Sequence, residues 1–271
     1  MFNTISEQAN KLVSLTNNKY NNSKTKVMVI TSGKGGVGKS TLTSNISYLL
    51  SLKNKKVAVL DADIGLANLQ VMFDIKPEKS FFDYIDGNCE LKDILLKTAY
   101  KDITLIAGKS GYQYSNLNKG LVYSRIVDDI VALDDFDILL IDTGAGLSEH
   151  VQQFLNLSDN IMAVTTTDPS ALTDVYALLK MISLTKEKLM LCFNHTAKYD
   201  TGKIITKSIT NLAIKNKLNR KFMVQYVGNM RESRSISTTG RLRKLFTKEL
   251  DNEIVSLELE LIVENILKHI K

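Results

Sequence analysis

Cysteine and proline are scarce in this chain, and so are long apolar runs. The two cysteines, Cys89 and Cys192, lie far apart and neither belongs to a C-x-x-C pair. They read as reduced structural thiols, not as a metal or redox site. No run of 18 apolar residues is present to span a bilayer, and the first residues lack the basic start and apolar stretch of a secretory signal. A cytosolic protein is expected. Only two prolines occur; Pro169, behind Asp168, falls where a helix would start, with the aspartate as cap and the proline in the first turn.

What is present is an ordinary globular mixture. Hydrophobic residues make up 44% and charged residues 24% of the 271, enough to bury a large core. With no internal linker, one large domain is expected. The formal charge is +6, which suits contact with anionic lipid or nucleic acid but is equally met by a lysine-rich solvated surface.

The N-terminus begins with a short helical pattern, Ala9, Leu12, Val13 and Thr16, followed by an Asn-rich polar tract. Residues 1–16 read as a separate helix, 17–25 as a flexible linker and 26–271 as the folded domain. Apolar runs then alternate with helix-period segments. Strands are predicted over 26–32, 56–62, 103–108, 136–142, 160–166, 188–194 and 222–228, most continuously apolar as strands covered on both faces must be. Apolar stripes mark intervening helices: Leu42, Ile46, Leu49 and Leu50; Val151, Phe154 and Leu155; Leu172, Val175, Leu178, Leu179 and Ile182. A last stripe runs from Val255 to Ile270. The rhythm predicts an α/β fold with a doubly wound, mostly parallel sheet and helices on both faces.

Directly after the first strand comes SGKGGVGKST, which fits G-x-x-x-x-G-K-[ST] with Gly33, Gly38, Lys39 and Ser40 in place. Strand before and helix after are the context that a phosphate loop requires. Its glycines let backbone N–H groups turn toward phosphate oxygens, and the following helix N-terminus adds a favourable dipole. Lys39 is placed to reach the β- and γ-phosphates, and Ser40 to ligate Mg²⁺. Gly33, Lys34, Gly35, Gly36, Val37, Gly38, Lys39, Ser40 and Thr41 are therefore the candidate nucleotide cradle.

The second lysine, Lys34, is not needed by ordinary phosphate loops. With it, KGGVGKS resembles the deviant Walker A ATPases, the family that includes MinD, ParA and the nitrogenase iron protein. In that family the extra lysine reaches the partner subunit's phosphates, so the resemblance implies an ATP-dependent homodimer with Lys34 acting in trans. LDADIGLANL (60–69) matches the family's switch I, where Asp63 is implied to orient the attacking water and Asp61 to support the Mg²⁺ shell. FDILLIDTGAG (136–146) ends its strand in Asp142, the Walker B position, and supplies Gly144 and Gly146 to a mobile switch II. Asn194 matches the asparagine that reads the adenine edge. No N-K-x-D guanine signature occurs, which favours ATP.

Within the family, DADIGLANL and TTTDPSALTDVYALLK (165–180) resemble the MinD side, and DTGAG at switch II, where many relatives read DTPAG, resembles the flagellar FlhG branch (FleN, YlxH) most of all. That branch carries a D-Q-A-x-x-L-R motif ahead of its ATPase domain. Glu7–Val13 match it with Glu for Asp and Val for Arg. The resemblance implies that Gln8, Ala9 and Leu12 contact an FlhF-like GTPase of the signal-recognition type and stimulate its hydrolysis, thereby regulating flagellum number and placement. Flagellar C-ring or transcriptional regulator proteins are further partners it implies.

Two rivals stay open. A DNA-partition ATPase would use basic residues such as those of GRLRKLFTKEL (240–250), although direct nucleic-acid binding is not expected; that stretch otherwise reads as a helix with Leu242, Leu245 and Phe246 packed inward. A MinD-like division regulator would work at the membrane, and relatives associate peripherally with the inner membrane through an amphipathic C-terminal helix. Here that helix carries Glu258, Glu260 and Glu264 early and Lys268, His269 and Lys271 only at its end. Docking on the core is at least as well supported as an anionic membrane contact.

Overall fold

β1 (Lys26–Ser32) carries an unbroken apolar run from Val27 to Ile30, and the structure shows why. Val27 and Val29 point into one hydrophobic layer while Met28 and Ile30 point into a second on the opposite face, because successive residues of a strand alternate between faces. The computed structural model describes residues 23–65, 67–109, 119–219 and 221–270; the readings at Gln8, Ala9 and Leu12 and the helix over 1–16 lie outside them.

After β1 come α1 (Lys39–Leu52), β2 (Val57–Ala62), α2 (Leu69–Met72), α3 (Phe81–Ile85), a 3-10 turn (Leu91–Ile94), β3 (Leu96–Lys97), β4 (Ile103–Ile106) and α4 (Lys119–Ala132). The second half runs β5 (Ile138–Ala145), α5 (Glu149–Asn156), β6 (Asn160–Thr165), α6 (Pro169–Ile182), β7 (Lys188–Thr196), α7 (Thr201–Lys215), β8 (Met223–Arg231), α8 (Arg234–Arg241), α9 (Phe246–Glu249) and α10 (Ile254–His269). The described strands form one sheet in the order β3-β4-β2-β5-β1-β6-β7-β8. Every pairing is parallel except β3 with β4. Helices cover both faces, α1 and α10 on one and α4 to α7 on the other. This is the single doubly wound α/β domain that the alternation predicts.

Four details differ from the sequence reading. β3, at two residues, is too short to carry a period. α7 escaped notice because KIITKSITNLAIK is rich in β-branched Ile and Thr, which weaken helix propensity and blur the pattern. GRLRKLFTKEL is not one helix: α8 ends at Arg241, Arg243 takes a left-handed φ of 54° and α9 starts at Phe246. Leu245 and Phe246 are buried as expected, but Leu242 is 63% exposed. Finally, Asp168 is the N-cap of α6 with Pro169 behind it, yet its side chain makes no cap bond and accepts instead from the Thr166 hydroxyl at 3.3 Å.

The C-terminal helix is docked. Val255, Leu259, Ile262, Val263 and Ile266 of α10 are all buried in the layer they share with α1, so in this state the apolar stripe is core and is not offered to lipid. Glu258 pins it: its carboxylate accepts from both N and Nε of Arg231, each at 2.9 Å, at the end of β8.

Candidate nucleotide site

The phosphate loop leaves the C-terminal end of β1, between β5 and β6 in the middle of the sheet. Crevices of open α/β sheets that take ligands lie at this end of the strands. The loop bounds a cleft of about 340 Å³ lined by Gly35 to Thr41 together with Ser32, Asp63, Asn68, Met72 and Ala145.

Two glycines are dictated by close packing. A Cβ on Gly33 would lie 2.6 Å from the backbone carbon of Asp174 in α6, and one on Gly38, whose φ is +87°, 2.3 Å from Nδ2 of Asn194. The loop is thus clamped between α6 and the end of β7. Asn194 donates from Nδ2 to the Val37 carbonyl at 2.9 Å and accepts from the His195 N–H at 2.9 Å. It braces the loop, and it retains one amide N–H and one lone pair for a further contact.

Beneath the loop lies a buried ionic cluster. Lys39 donates from Nζ to Asp142 Oδ1 at 3.0 Å, and Thr43 donates to the same oxygen at 2.8 Å. Thr43 was missed by the sequence reading; its signal was the spacing of four from Lys39, which puts both on one side of α1. Asp142 is fully buried, and its Oδ2 has no hydrogen-bond partner among the described residues, nor has the buried Ser32 Oγ. Buried polar atoms are rarely left orphaned, so these two, with the Ser40 hydroxyl in the first turn of α1, fit a site for a hydrated cation and phosphate. Asp61 is the register partner of Asp142 across β2 and β5, and its carboxylate accepts from the backbone N–H groups of Leu69 and Asp63 at 3.0 and 3.3 Å.

Burial, reinforced by the neighbouring Asp142 charge, pushes the Asp61 carboxyl from its ordinary 3.8 up to about 7, against the two backbone hydrogen bonds and Lys39. The folded protein therefore keeps this proton over a pH range in which the unfolded chain has lost it. The stability it contributes is complete below about 4 and is lost as pH rises through 7. In metal- and nucleotide-free protein, the stability difference between wild type and Asp61→Asn should shift by about 2–3 kcal/mol between pH 5 and 8, wild type being favoured at the acid end. Urea titrations at four pH values check it; parallel curves would exclude the shift.

Asp63 lies at the cleft mouth, its Oδ1 accepting from the Gly65 N–H at 3.0 Å. Gly146 adopts a φ of +85° and donates its N–H to the Ser32 carbonyl at 2.8 Å, joining switch II to the phosphate loop. Lys34 behaves differently from Lys39. It is exposed, does not line its own cleft, and donates from Nζ to the Ser170 hydroxyl of α6 at 2.7 Å.

A parallel sheet whose central strand opens into a clamped phosphate loop, with a Walker B aspartate on the adjacent strand, defines a P-loop NTPase. The comparisons narrow this. The family model ParA, described as NUBPL iron-transfer P-loop NTPase, matches residues 23–267. The flagellum site-determining protein YlxH of Helicobacter pylori is 36% identical over 94% of this chain and 88% of its own length. The antiactivator FleN of Pseudomonas aeruginosa is 32% identical over 58% of this chain and 56% of its own. Among solved structures, the MinC:MinD cell division complex of Aquifex aeolicus superposes with a TM-score of 0.73 at 20% identity, covering 90% of this chain and 96% of that one. MinD of Pyrococcus horikoshii, complexed with Mg-ADP, gives 0.70 at 21% identity over 89% and 96%. The chain belongs to the ParA/MinD family of P-loop NTPases.

The iron-transfer description of that family model finds no support in the thiols. Cys192 is sealed inside β7, where burial raises it to about 12, and Cys89 is partly buried. The thiolate is the form that binds metal. A chromogenic disulfide reagent should titrate at most Cys89 in the native protein and both thiols in guanidinium; rapid reaction of Cys192 in the native state would contradict this burial.

Proposed function

We propose that this protein is an ATP-dependent dimerising switch of the FlhG type, which regulates flagellum number and placement by binding an FlhF-like GTPase and stimulating it. The observation that carries this reading is the 36% identity to the H. pylori flagellum site-determining protein over nearly the whole of both chains. The Glu7–Val13 motif ahead of the ATPase domain supports the partner, with Gln8 as the polar group and Ala9 and Leu12 as packing contacts.

ATP hydrolysis is assigned to residues now in place. The loop N–H groups from Gly35 to Thr41 bind phosphate oxygens, and Lys39 exchanges Asp142 for them. Asp142 and Ser40, with Asp61 behind, would hold the shell of a Mg²⁺ ion, which would supply charge neutralisation to phosphoryl transfer. Asp63 orients the attacking water, where positioning counts for more than basicity because the transition state is loose. Gly146 lets switch II follow the departing phosphate. Asn194 applies its free amide N–H and lone pair to adenine.

Two arms test the partner and the pathway. Deleting residues 1–17 should abolish capture of an FlhF-like GTPase by the otherwise intact protein, and undiminished capture would sink the assignment. Deleting the gene should change flagellar number or position in electron micrographs. ATP-dependent recruitment to liposomes without a GTPase partner would instead mark a division-site regulator, and salt-sensitive binding to nonspecific DNA a partition ATPase. Against the second stand the ion pairs that occupy Arg243 with Asp74 at 3.0 Å and Lys244 with Glu249 at 2.9 Å.

A further inference from the structure

One strongly basic stretch has no acidic partners of its own beyond a single aspartate. Residues 197–223 hold Lys198, Lys203, Lys207, Lys215, Lys217, Arg220 and Lys221 against a single acid, Asp200, a net +6 that equals the charge of the entire chain. The structure places the described residues of this stretch on α7, the loops that flank it and the first residue of β8, the terminal strand of the sheet. α7 buries Gly202, Thr206, Ile209 and Ala213 against the domain, and Lys203, Lys207, Lys215 and Lys217 stand exposed. None of the six lysines ion-pairs with a described residue.

Among these cations lies apolar surface. Ile204 is 64% and Ile214 70% exposed. Between the C-terminal half of α7 and the start of β8 is a hollow of about 540 Å³ walled by Ala213, Ile214, Leu218, Phe222 and Val224, with Lys217 on its rim. β8 pairs only with β7 among the described strands; Asn265 of α10 donates to its Val227 carbonyl at 3.0 Å. The groove is held in shape: Asn216 donates to the Tyr176 hydroxyl at 2.6 Å and Asn219 to the Ser183 carbonyl at 3.4 Å.

We infer that this groove docks an acidic segment of a partner protein, a peptide whose carboxylates meet the lysines and whose apolar side chain fills the hollow. A nucleic-acid backbone would satisfy the lysines but leave Ile214 and the hollow wet. A bilayer surface would cover the apolar residues but cannot enter a concave site. A peptide uses both features. The chain's own N-terminus lacks the charge, since residues 1–22 carry Glu7 against Lys11 and Lys19. A second copy apposed at the same edge would bring lysine against lysine. The lining of this surface shares no residue with the nucleotide cleft.

The test is a display library of random 12-residue peptides, panned on the full-length protein. The recovered consensus should contain several Asp or Glu residues around one large apolar residue. In fluorescence anisotropy its affinity should drop at least tenfold on Lys207→Glu/Lys215→Glu/Lys217→Glu, fall severalfold on Ile214→Ser, and weaken as NaCl rises from 50 to 300 mM. All three lysines and Ile214 are exposed, so melting temperature and nucleotide affinity should be unchanged, which separates this result from failure of the switch mechanism. A consensus without acids, or equal binding to the charge-reversed variant, overturns the proposal. So does lysine-dependent binding of a 20-base-pair DNA duplex, or of vesicles with 30% phosphatidylglycerol, in the absence of peptide binding.

Discussion

Replacing Lys39 by alanine should do two separable things, abolish nucleotide binding and destabilise the nucleotide-free protein. Lys39 and Asp142 form a salt bridge at 3.0 Å with side chains 7% and 0% exposed. Removing one partner of such a pair strands a buried charge, which typically costs about 3–5 kcal/mol. Urea unfolding should therefore show Lys39→Ala destabilised by about that amount. Lys39→Ala/Asp142→Asn, which strands no charge, should recover much of it, with a coupling of about 1–3 kcal/mol. Nucleotide affinity should not recover in the double variant. Hydrogen bonds to charged groups are worth about 1.5–3 kcal/mol each, so loss of the lysine should weaken binding about a hundredfold or more. Equal stability of the single variant and wild type would mean that the pair contributes nothing to the resting state.

Lys34→Ala should leave the affinity for one nucleotide within about threefold, because Lys34 does not line its own cleft. It should nevertheless abolish the ATP-dependent dimer and lower turnover by about a thousandfold, the low end of what a charge supplied in trans contributes to phosphoryl transfer. Asp63→Ala should divide these effects differently: binding intact, hydrolysis lost and dimer accumulating. Size exclusion with ATP reads the dimer, and phosphate release reads the turnover. A Lys34→Ala protein that dimerises normally would refute the trans role of Lys34 in an ATP-dependent dimer of this chain. The hydrogen bond from Lys34 to Ser170 at 2.7 Å holds the lysine on its own subunit in the monomer. Breaking it with Ser170→Ala should favour the dimer by no more than about 1 kcal/mol, roughly fivefold.

Much of the fold and most of the candidate site could be read from residue order, for a local reason. β1, β2, β5, β6 and β7 are continuously apolar and adjoin segments of helical period, and that contrast survives without any tertiary information. The phosphate loop, Asp61, Asp63 and Asp142 were likewise found at strand ends, because the motif specifies its own strand–loop–helix context. Elements whose pattern was weak went unseen: β3 because it is too short, and α7 because its β-branched residues look half like a strand. The break at Arg243 was hidden too, since a left-handed residue there is set by how Leu245 and Phe246 enter the core and not by a glycine.

The sequence alone determined the sheet-and-helix alternation, the phosphate-loop motif and the odd lysine, since each is written within a few consecutive residues. Only the tertiary structure decided that Asp142 accepts from both Lys39 and Thr43, and that Asp61 lies in register with it and holds its proton to about pH 7. It alone decided that Asn194 clamps the loop, that Lys34 rests on Ser170, and that the last helix is core. Each of those facts joins residues far apart in the chain, and their distance and burial exist only once the sheet has brought them together.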